Sequence, residues 1–179
     1  QLTSVGEQML RYPLPARLSR ILVAAQNCPQ KDKKELVDYL AHWIEPDNPD
    51  RLRRNLASFL TASPITKSPQ SQDLEKIILT GFPDHVALYR GPKYHDFIHA
   101  QGDTLKGAPA IIDQVSAFPA QSLFIILEVG TKGQIFRLVP IEKDWLYDLE
   151  PLPLVEKMEV EFHSSRKKIY HRTSLPGLS

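Results

Sequence analysis

Three arginines surround a proline elbow near the start of the chain, where their positions suit contact with a phosphate backbone. Arg11, Arg17 and Arg20 lie around the segment Pro13-Leu14-Pro15. A cation that meets a nucleic-acid phosphate releases condensed counterions, so residues of this kind give salt-sensitive binding of any sequence. The same spacing fits a solvated helix flank. Arg17 also fits a structural role, in which it pairs with an acid and fixes the elbow.

A second group of cations alternates with aromatic rings. Tyr89, Arg90, Lys93, Tyr94 and His95 follow one another closely. In oligonucleotide-binding barrels, such rings stack on bases and such cations meet phosphates. Because alternate side chains of a strand point to opposite faces, Tyr89 or Tyr94 is expected in the core. We predict that at least one member of this group contacts nucleic acid.

A third basic group lies close to the end of the chain. It comprises Arg166, Lys167, Lys168, His171 and Arg172, with no acid among them. These residues fit a surface that holds RNA. A charged hairpin edge that prevents unwanted strand pairing explains them almost as well.

The spacing of the residues argues against a metal site or a phosphate loop. In a strand, His95 and His99 share a face about 13 Å apart, too far for one zinc ion. Residues 130–133 (GTKG) are too short for a phosphate loop, which also needs a helix directly after it. No nucleophile with a base, pair of carboxylates or dinucleotide turn is indicated. We therefore predict no catalytic residue, no metal site and no cofactor in these 179 residues.

The amino-acid composition shows that positive and negative charges are balanced over the whole chain. It has 22 Lys and Arg against 21 Asp and Glu, a net charge of +1, so binding of a polyanion must come from local clusters. Cys28 is the only cysteine, which excludes an intramolecular disulfide and fits the reducing cytoplasm. No apolar run approaches the roughly 20 residues that span a bilayer. These features predict a soluble cytoplasmic protein without a membrane partner.

The first part of the chain has the pattern of helices separated by prolines. Ser4 and Glu7 have the spacing of a capping box, which predicts a helix over residues 4–11. Pro15 is suited to open the next helix. Residues 63–72 contain two prolines among polar residues, which predicts a linker. The apolar stripes at helical spacing are Leu18, Ile21, Leu22 and Ala25; Leu36, Val37, Leu40, Trp43 and Ile44; Leu52, Leu56, Phe59 and Leu60; and Leu74, Ile77 and Ile78.

After Gly81 the pattern changes to short segments rich in β-branched and aromatic residues. The predicted strands cover residues 85–90, 94–100, 108–115, 122–129, 134–141, 157–162 and 168–172, with a helical turn over residues 144–149. Short strands with an inserted helix favour a small closed barrel of the OB type. The sequence thus predicts an α+β chain, with a helical bundle over residues 1–81 and an OB-like barrel over residues 82–179.

Several motifs resemble the C-terminal region of DEAH/DExH-box RNA helicases, in particular the bacterial HrpB-like branch. Residues 2–18 (LTSVGEQMLRYPLPARL) resemble the end of the winged helix and the first ratchet helix of that family. Residues 82–91 (FPDHVALYRG) resemble the junction that leads into its OB-fold, with His85 where the family has arginine. Residues 128–146 resemble its barrel segment, in which a Thr-Lys turn precedes an arginine and a Trp-Leu helix. Residues 160–178 are similar to its last strands.

The resemblance implies an accessory region cut from a longer helicase just inside the winged helix. It also implies that the helical part is ratchet-like, and that Arg17, Arg20, Arg90 and Lys132 bind single-stranded nucleic acid, RNA in this family. ATP and Mg²⁺ would belong to motor domains of the parent chain, because neither a phosphate loop nor an Asp-Glu-x-His box occurs here. The alternative function is a protein-interaction platform that docks a helicase activator or another partner.

Overall fold

The computed structural model of the chain describes residues 3–62, 72–100, 102–149, 155–159 and 170–174. The chain divides into two compact units, Gln1–Gly81 and Phe82–Ser179. Among the described residues, no helix combines the length and the apolar character needed to cross a bilayer.

The first unit is helical. Its described helices are α1 (Ser4–Met9), α2 (Ala16–Ala24), α3 (Gln30–Ile44), α4 (Pro49–Asn55), α5 (Ala57–Thr61) and α6 (Leu74–Gly81), with a 3₁₀ turn at Ala25–Asn27. The stripes predicted from the sequence supply the core, since Ile21, Leu22, Leu36, Leu40 and Ile77 are all fully buried. Apart from α1, which has no buried residue, each described helix buries apolar side chains, and this burial holds such short helices in place, since they are marginal alone.

Two predictions for this unit are wrong in detail. The N-cap of α1 is Thr3, whose hydroxyl accepts a hydrogen bond from the Gly6 amide at 3.1 Å, and the helix ends at Met9 rather than at residue 11. The third predicted helix is divided at Leu56 into α4 and α5. The predicted linker over residues 63–72 lies outside the described residues, except for Gln72.

The second unit contains a closed barrel. Its elements are β1 (Val86–Tyr89), β2 (Asp96–His99), β3 (Thr104–Gly107), α7 (Pro109–Val115), β4 (Leu123–Val129) and β5 (Gln134–Ile141), followed by a 3₁₀ turn at Lys143–Asp148. The strand order is β1-β2-β3-β5-β4, with β4 paired back onto β1. All the pairs are antiparallel except β3 with β5, which is parallel. The predicted α+β class with an OB-like barrel is therefore confirmed.

Aromatic rings fill the barrel. Tyr89, Phe97 and Phe124 are buried together, with ring centroids 5.2 to 6.3 Å apart. Beyond the barrel, β6 (Val155–Glu159) and β7 (Tyr170–Ser174) form a separate antiparallel pair.

The strand predicted over residues 108–115 is wrong, because this segment is the helix α7. Pro109 stands in the first turn, where its missing N–H leaves no hydrogen bond unmade. Ile111 and Val115 are buried while Asp113 between them is exposed. A strand would have turned Asp113 to the same face as those two residues. The real third strand, β3, begins at Thr104 and was not predicted.

Candidate nucleic-acid interface

The turn between β1 and β2 carries the predicted aromatic and basic group. Gly91 has a φ of 103°, and its carbonyl accepts hydrogen bonds from the Tyr94 and His95 amides at 3.1 Å each. A Cβ atom at this position would lie 2.8 Å from the Cβ of Ala120, so the tight turn requires glycine in both conformation and space. The turn therefore presents its side chains on a fixed backbone.

The two tyrosines have different places. Tyr89 lies fully inside the barrel, where burial raises the pKa of its hydroxyl. Tyr94 is 51% exposed. As predicted, one ring belongs to the core; Tyr94, which lies in the turn and not on a strand, is the ring that a base could reach.

Arg90 connects this exposed ring to a buried acid. One guanidinium nitrogen donates to a carboxylate oxygen of Asp96 at 3.0 Å, and the guanidinium carbon lies 4.3 Å from the centre of the Tyr94 ring. The ammonium of Lys93 lies 5.5 Å from the same ring centre. A cation over a ring is attracted by the negative face of the π-system. Asp96 thus orients Arg90, and Arg90 in turn supports Tyr94.

The turn between β4 and β5 carries Lys132. The Gly133 amide donates to the Gly130 carbonyl at 2.9 Å and closes the turn, leaving Lys132 exposed. The ring of Phe136, itself 52% exposed, covers Gly130 so closely that a Cβ there would lie 2.5 Å from Cε2. A second exposed ring therefore lies beside this turn.

Strand register brings the two turns to the same end of the barrel. Asp96 of β2 pairs with Lys106 of β3, and Lys106 pairs with Gln134 of β5 on its other side. Because neighbouring strands are about 4.8 Å apart, Asp96 and Gln134 lie roughly 10 Å from each other. The turn with Arg90 directly precedes the first residue, and the turn with Lys132 directly precedes the second. We call the surface of Arg90, Lys93, Tyr94, Lys106 and Lys132 the basic face.

The charge on the basic face is mostly uncompensated. Within the described part of the chain, Lys106 and Lys132 make no salt bridge, and Asp96 is engaged by Arg90. The nearby acid Glu128 faces Arg137 at 3.8 Å. The basic face therefore carries a local positive charge that the net charge of the chain does not reveal. Sequence reasoning missed Lys106, because it fell between two predicted strands.

The other two predicted residues lie in the helical unit. A guanidinium nitrogen of Arg17 donates to the Gly81 carbonyl at the end of α6, at 3.2 Å, and Arg17 and Arg20 both make further interactions. This bond places a cation at the C-terminus of a helix, where the helix dipole favours it. This bond favours a structural role for Arg17, with a backbone carbonyl as the acceptor where the sequence analysis expected an acid.

The histidines do not converge on a metal site in the described residues, where no group of three or more His, Cys, Asp and Glu side chains has a suitable arrangement. His95 is exposed in the turn, whereas His99 is buried with its ring 5.9 Å from that of His85. Burial lowers the pKa of His99, and the nearby His85 lowers it further. The basic residues predicted near the end of the chain lie outside the described side chains.

Comparison with known proteins yields a structural match. No protein-family model matches the chain, and neither does any curated protein. The crystal structure of the E. coli DExH-box NTPase HrpB superposes with a TM-score of 0.66 at 18% sequence identity. The two chains share a fold. The match covers 99% of this chain but only 24% of the HrpB chain, so the likeness concerns one part of that protein.

Proposed function

We propose that this chain is the nucleic-acid-binding accessory region of a DExH-box NTPase similar to HrpB. The fold it shares with part of HrpB supports this assignment, and so do the sequence motifs that resemble the same family. In this proposal the protein acts in the cytoplasm. Its partners are single-stranded nucleic acid, RNA by the resemblance, and the motor domains of the parent chain.

The observation that carries the proposal is the basic face. OB-type barrels bind oligonucleotides with the face of strands 2 and 3 and with the turns β1–β2 and β4–β5. Here those two turns hold Arg90 and Lys132, and the exposed ring of Tyr94 lies near the cations of Arg90 and Lys93. The lysines would meet successive phosphates while a base stacks on Tyr94, an arrangement that tolerates any sequence.

In this proposal ATP is bound and hydrolysed by another part of the parent protein. The motifs that hold phosphates and Mg²⁺ in such NTPases do not occur in the sequence, so ATP and Mg²⁺ would act in the motor domains. This chain would hold the strand beside them.

A salt titration of oligonucleotide binding tests the basic face. We expect fluorescence anisotropy to give a dissociation constant on the order of 10⁻⁴ to 10⁻⁵ M for a labelled single strand at moderate salt. Lys132→Ala and Lys106→Ala should each weaken binding of every sequence and make the salt slope shallower by about one phosphate contact. Lys143→Ala is the matched control, since Lys143 is exposed beyond the opposite end of β5. Wild-type affinity and slope in both variants would contradict the proposal.

A second candidate function is the docking of a protein partner, such as a helicase activator. Phe136 and Val129, which is 45% exposed, lie on β5 and β4 next to the turn that carries Lys132. Exposed apolar groups of this kind favour protein contacts. If this function dominates, Phe136→Ala abolishes binding of the partner, and salt has little influence on it.

A further inference from the structure

The helical unit contains a cavity that has no part in the function proposed above. It measures about 320 Å³, at the lower end of the range for small-molecule sites. Its lining residues come from the elbow after α1 and from the 3₁₀ turn, α3 and α5: Arg11, Tyr12, Gln26, Lys33, Ser58, Phe59 and Ala62. None of these residues is acidic.

Lys33 is the unusual member of this lining, because only 1% of the residue is exposed. It shares the core-facing stripe of α3 with Leu36 and Val37, which places its aliphatic stem in the core. Its ammonium donates to the Ala62 carbonyl at 3.0 Å and lies 5.3 Å from the centre of the Phe59 ring. In the described part of the chain no carboxylate pairs with it, and residues 63–71, which follow Ala62, contain no Asp or Glu.

A buried ammonium with a single hydrogen-bond acceptor is unfavourable. An ammonium has three N–H donors, and the bond to Ala62 occupies one of them. Burial accordingly lowers the pKa of Lys33, and the Cys28 thiol partly opposes this effect. An anion in the cavity would favour the charged form of Lys33 and offset this cost.

Further donors surround the ammonium. The Tyr12 hydroxyl accepts a hydrogen bond from the Gln26 amide at 2.9 Å, so its own proton remains to be donated. Arg11 and Ser58 add a guanidinium and a hydroxyl to the lining. On one side the rings of Tyr12 and Phe59 meet edge to face, 5.9 Å between centroids. The cavity thus combines several donors with an aromatic wall.

We propose that this cavity binds a small phosphate monoester, with the phosphate on Lys33 and Tyr12 and an apolar or aromatic body against Phe59. A phosphate group offers three acceptor oxygens and takes charge-assisted hydrogen bonds from Lys and Arg. A carboxylate has fewer oxygens for the same donors. The proposal is independent of nucleic-acid binding by the barrel, because none of its residues belongs to the basic face.

Phenyl phosphate is a suitable probe of this cavity. We would titrate it into the ¹⁵N-labelled chain at constant ionic strength and follow backbone amide shifts by NMR, with phenol and benzoate as comparison ligands. We expect saturable shifts of residues around Lys33 with a dissociation constant on the order of 10⁻³ M. Benzoate should bind more weakly and phenol should cause no saturable shift. Equal binding of benzoate, or no saturable shift with phenyl phosphate, would refute the proposal.

Two variants test whether the ammonium of Lys33 binds the phosphate. Lys33→Met keeps the apolar stem and should weaken phenyl phosphate about tenfold or more, the loss typical of a charge-assisted hydrogen bond. Lys34→Met removes the neighbouring exposed lysine and should bind as the wild type does. Unchanged affinity in Lys33→Met would show that Lys33 only caps the end of α5. Tyr12→Phe provides a second reading if Lys33→Met does not fold, and wild-type affinity in that variant would equally count against the site.

Discussion

Three arginines of the helical unit and two lysines of the barrel differ in whether the fold supplies their partners. In the helical unit three arginines are engaged by the fold itself: Arg53 binds Asp38 at 2.7 Å and Asp50 at 2.6 Å, Arg51 binds Glu45 through two nitrogens at 2.9 Å each, and Arg17 binds the Gly81 carbonyl. On the barrel, Lys106 and Lys132 stand exposed at one end without a salt bridge among the described residues. A cluster of cations in a sequence therefore indicates a polyanion site only where the fold has not already supplied their partners.

The largest expected effect is the loss of stability when a core residue of the helical unit is truncated. Leu22 in α2 is fully buried, so Leu22→Ala should lower the free energy of unfolding by about 2 to 5 kcal/mol. Thermal and denaturant unfolding followed by circular dichroism would measure it. Val23→Ala is the control, since Val23 is the next residue on the helix and half-buried. Equal midpoints in the two variants would mean that the predicted stripe is not the core of this unit.

A smaller effect tests whether Arg17 belongs to the fold or to the interface. Arg17→Ala removes the bond to Gly81 and should lower the free energy of unfolding by about 1 kcal/mol. The same variant, measured in the oligonucleotide titration, decides between the two roles. A loss of stability without loss of affinity supports the structural role. Lower affinity and a shallower salt slope at unchanged stability support the interface predicted from the sequence.

The smallest effect is the pH dependence of the barrel. The pKa of His99 is lowered in the folded state, first by burial and then by His85, while Asp103 and Asp84 act in the opposite direction. The unfolded chain therefore takes up a proton at higher pH than the folded chain. Stability should be fully present above the unfolded pKa of about 6.5 and decrease as the pH falls through it.

The variant His99→Gln should flatten this decrease, as urea unfolding at a series of pH values would show. An identical pH profile in the variant and the wild type would assign the decrease to other groups.

The sequence predicts local structure well where chemistry and periodicity agree. The apolar stripes predicted most of the helices, and the segments rich in β-branched and aromatic residues predicted β4 and β5. The sequence predicted a strand over residues 108–115 because Ile111, Ile112 and Val115 have high β propensity. Pro109 and the exposed Asp113 suit a helix instead. The placement of a single proline and a single acid outweighed the intrinsic preference of the apolar residues.

The candidate site was predictable only in part. Arg90 and Lys132 were named from their motifs, but their closeness depends on the parallel pairing of β3 with β5. Such pairing joins segments far apart in the chain and leaves no local signal. Arg17 is a second residue whose contact is non-local, since its bond to the Gly81 carbonyl joins α2 to the last residue of α6.

The parallel pairing of β3 with β5 also affects the order in which the strands of the barrel pair during folding. A newly made chain can form the hairpins β1–β2 and β2–β3 early, because their partners are neighbours in sequence. The pair Lys106 and Gln134 must wait until α7 and β4 have been synthesised and the intervening loop has closed, which is the slow step for non-local contacts. The basic face is therefore among the last features to assemble, and under the proposed function an oligonucleotide would bind only a completed barrel.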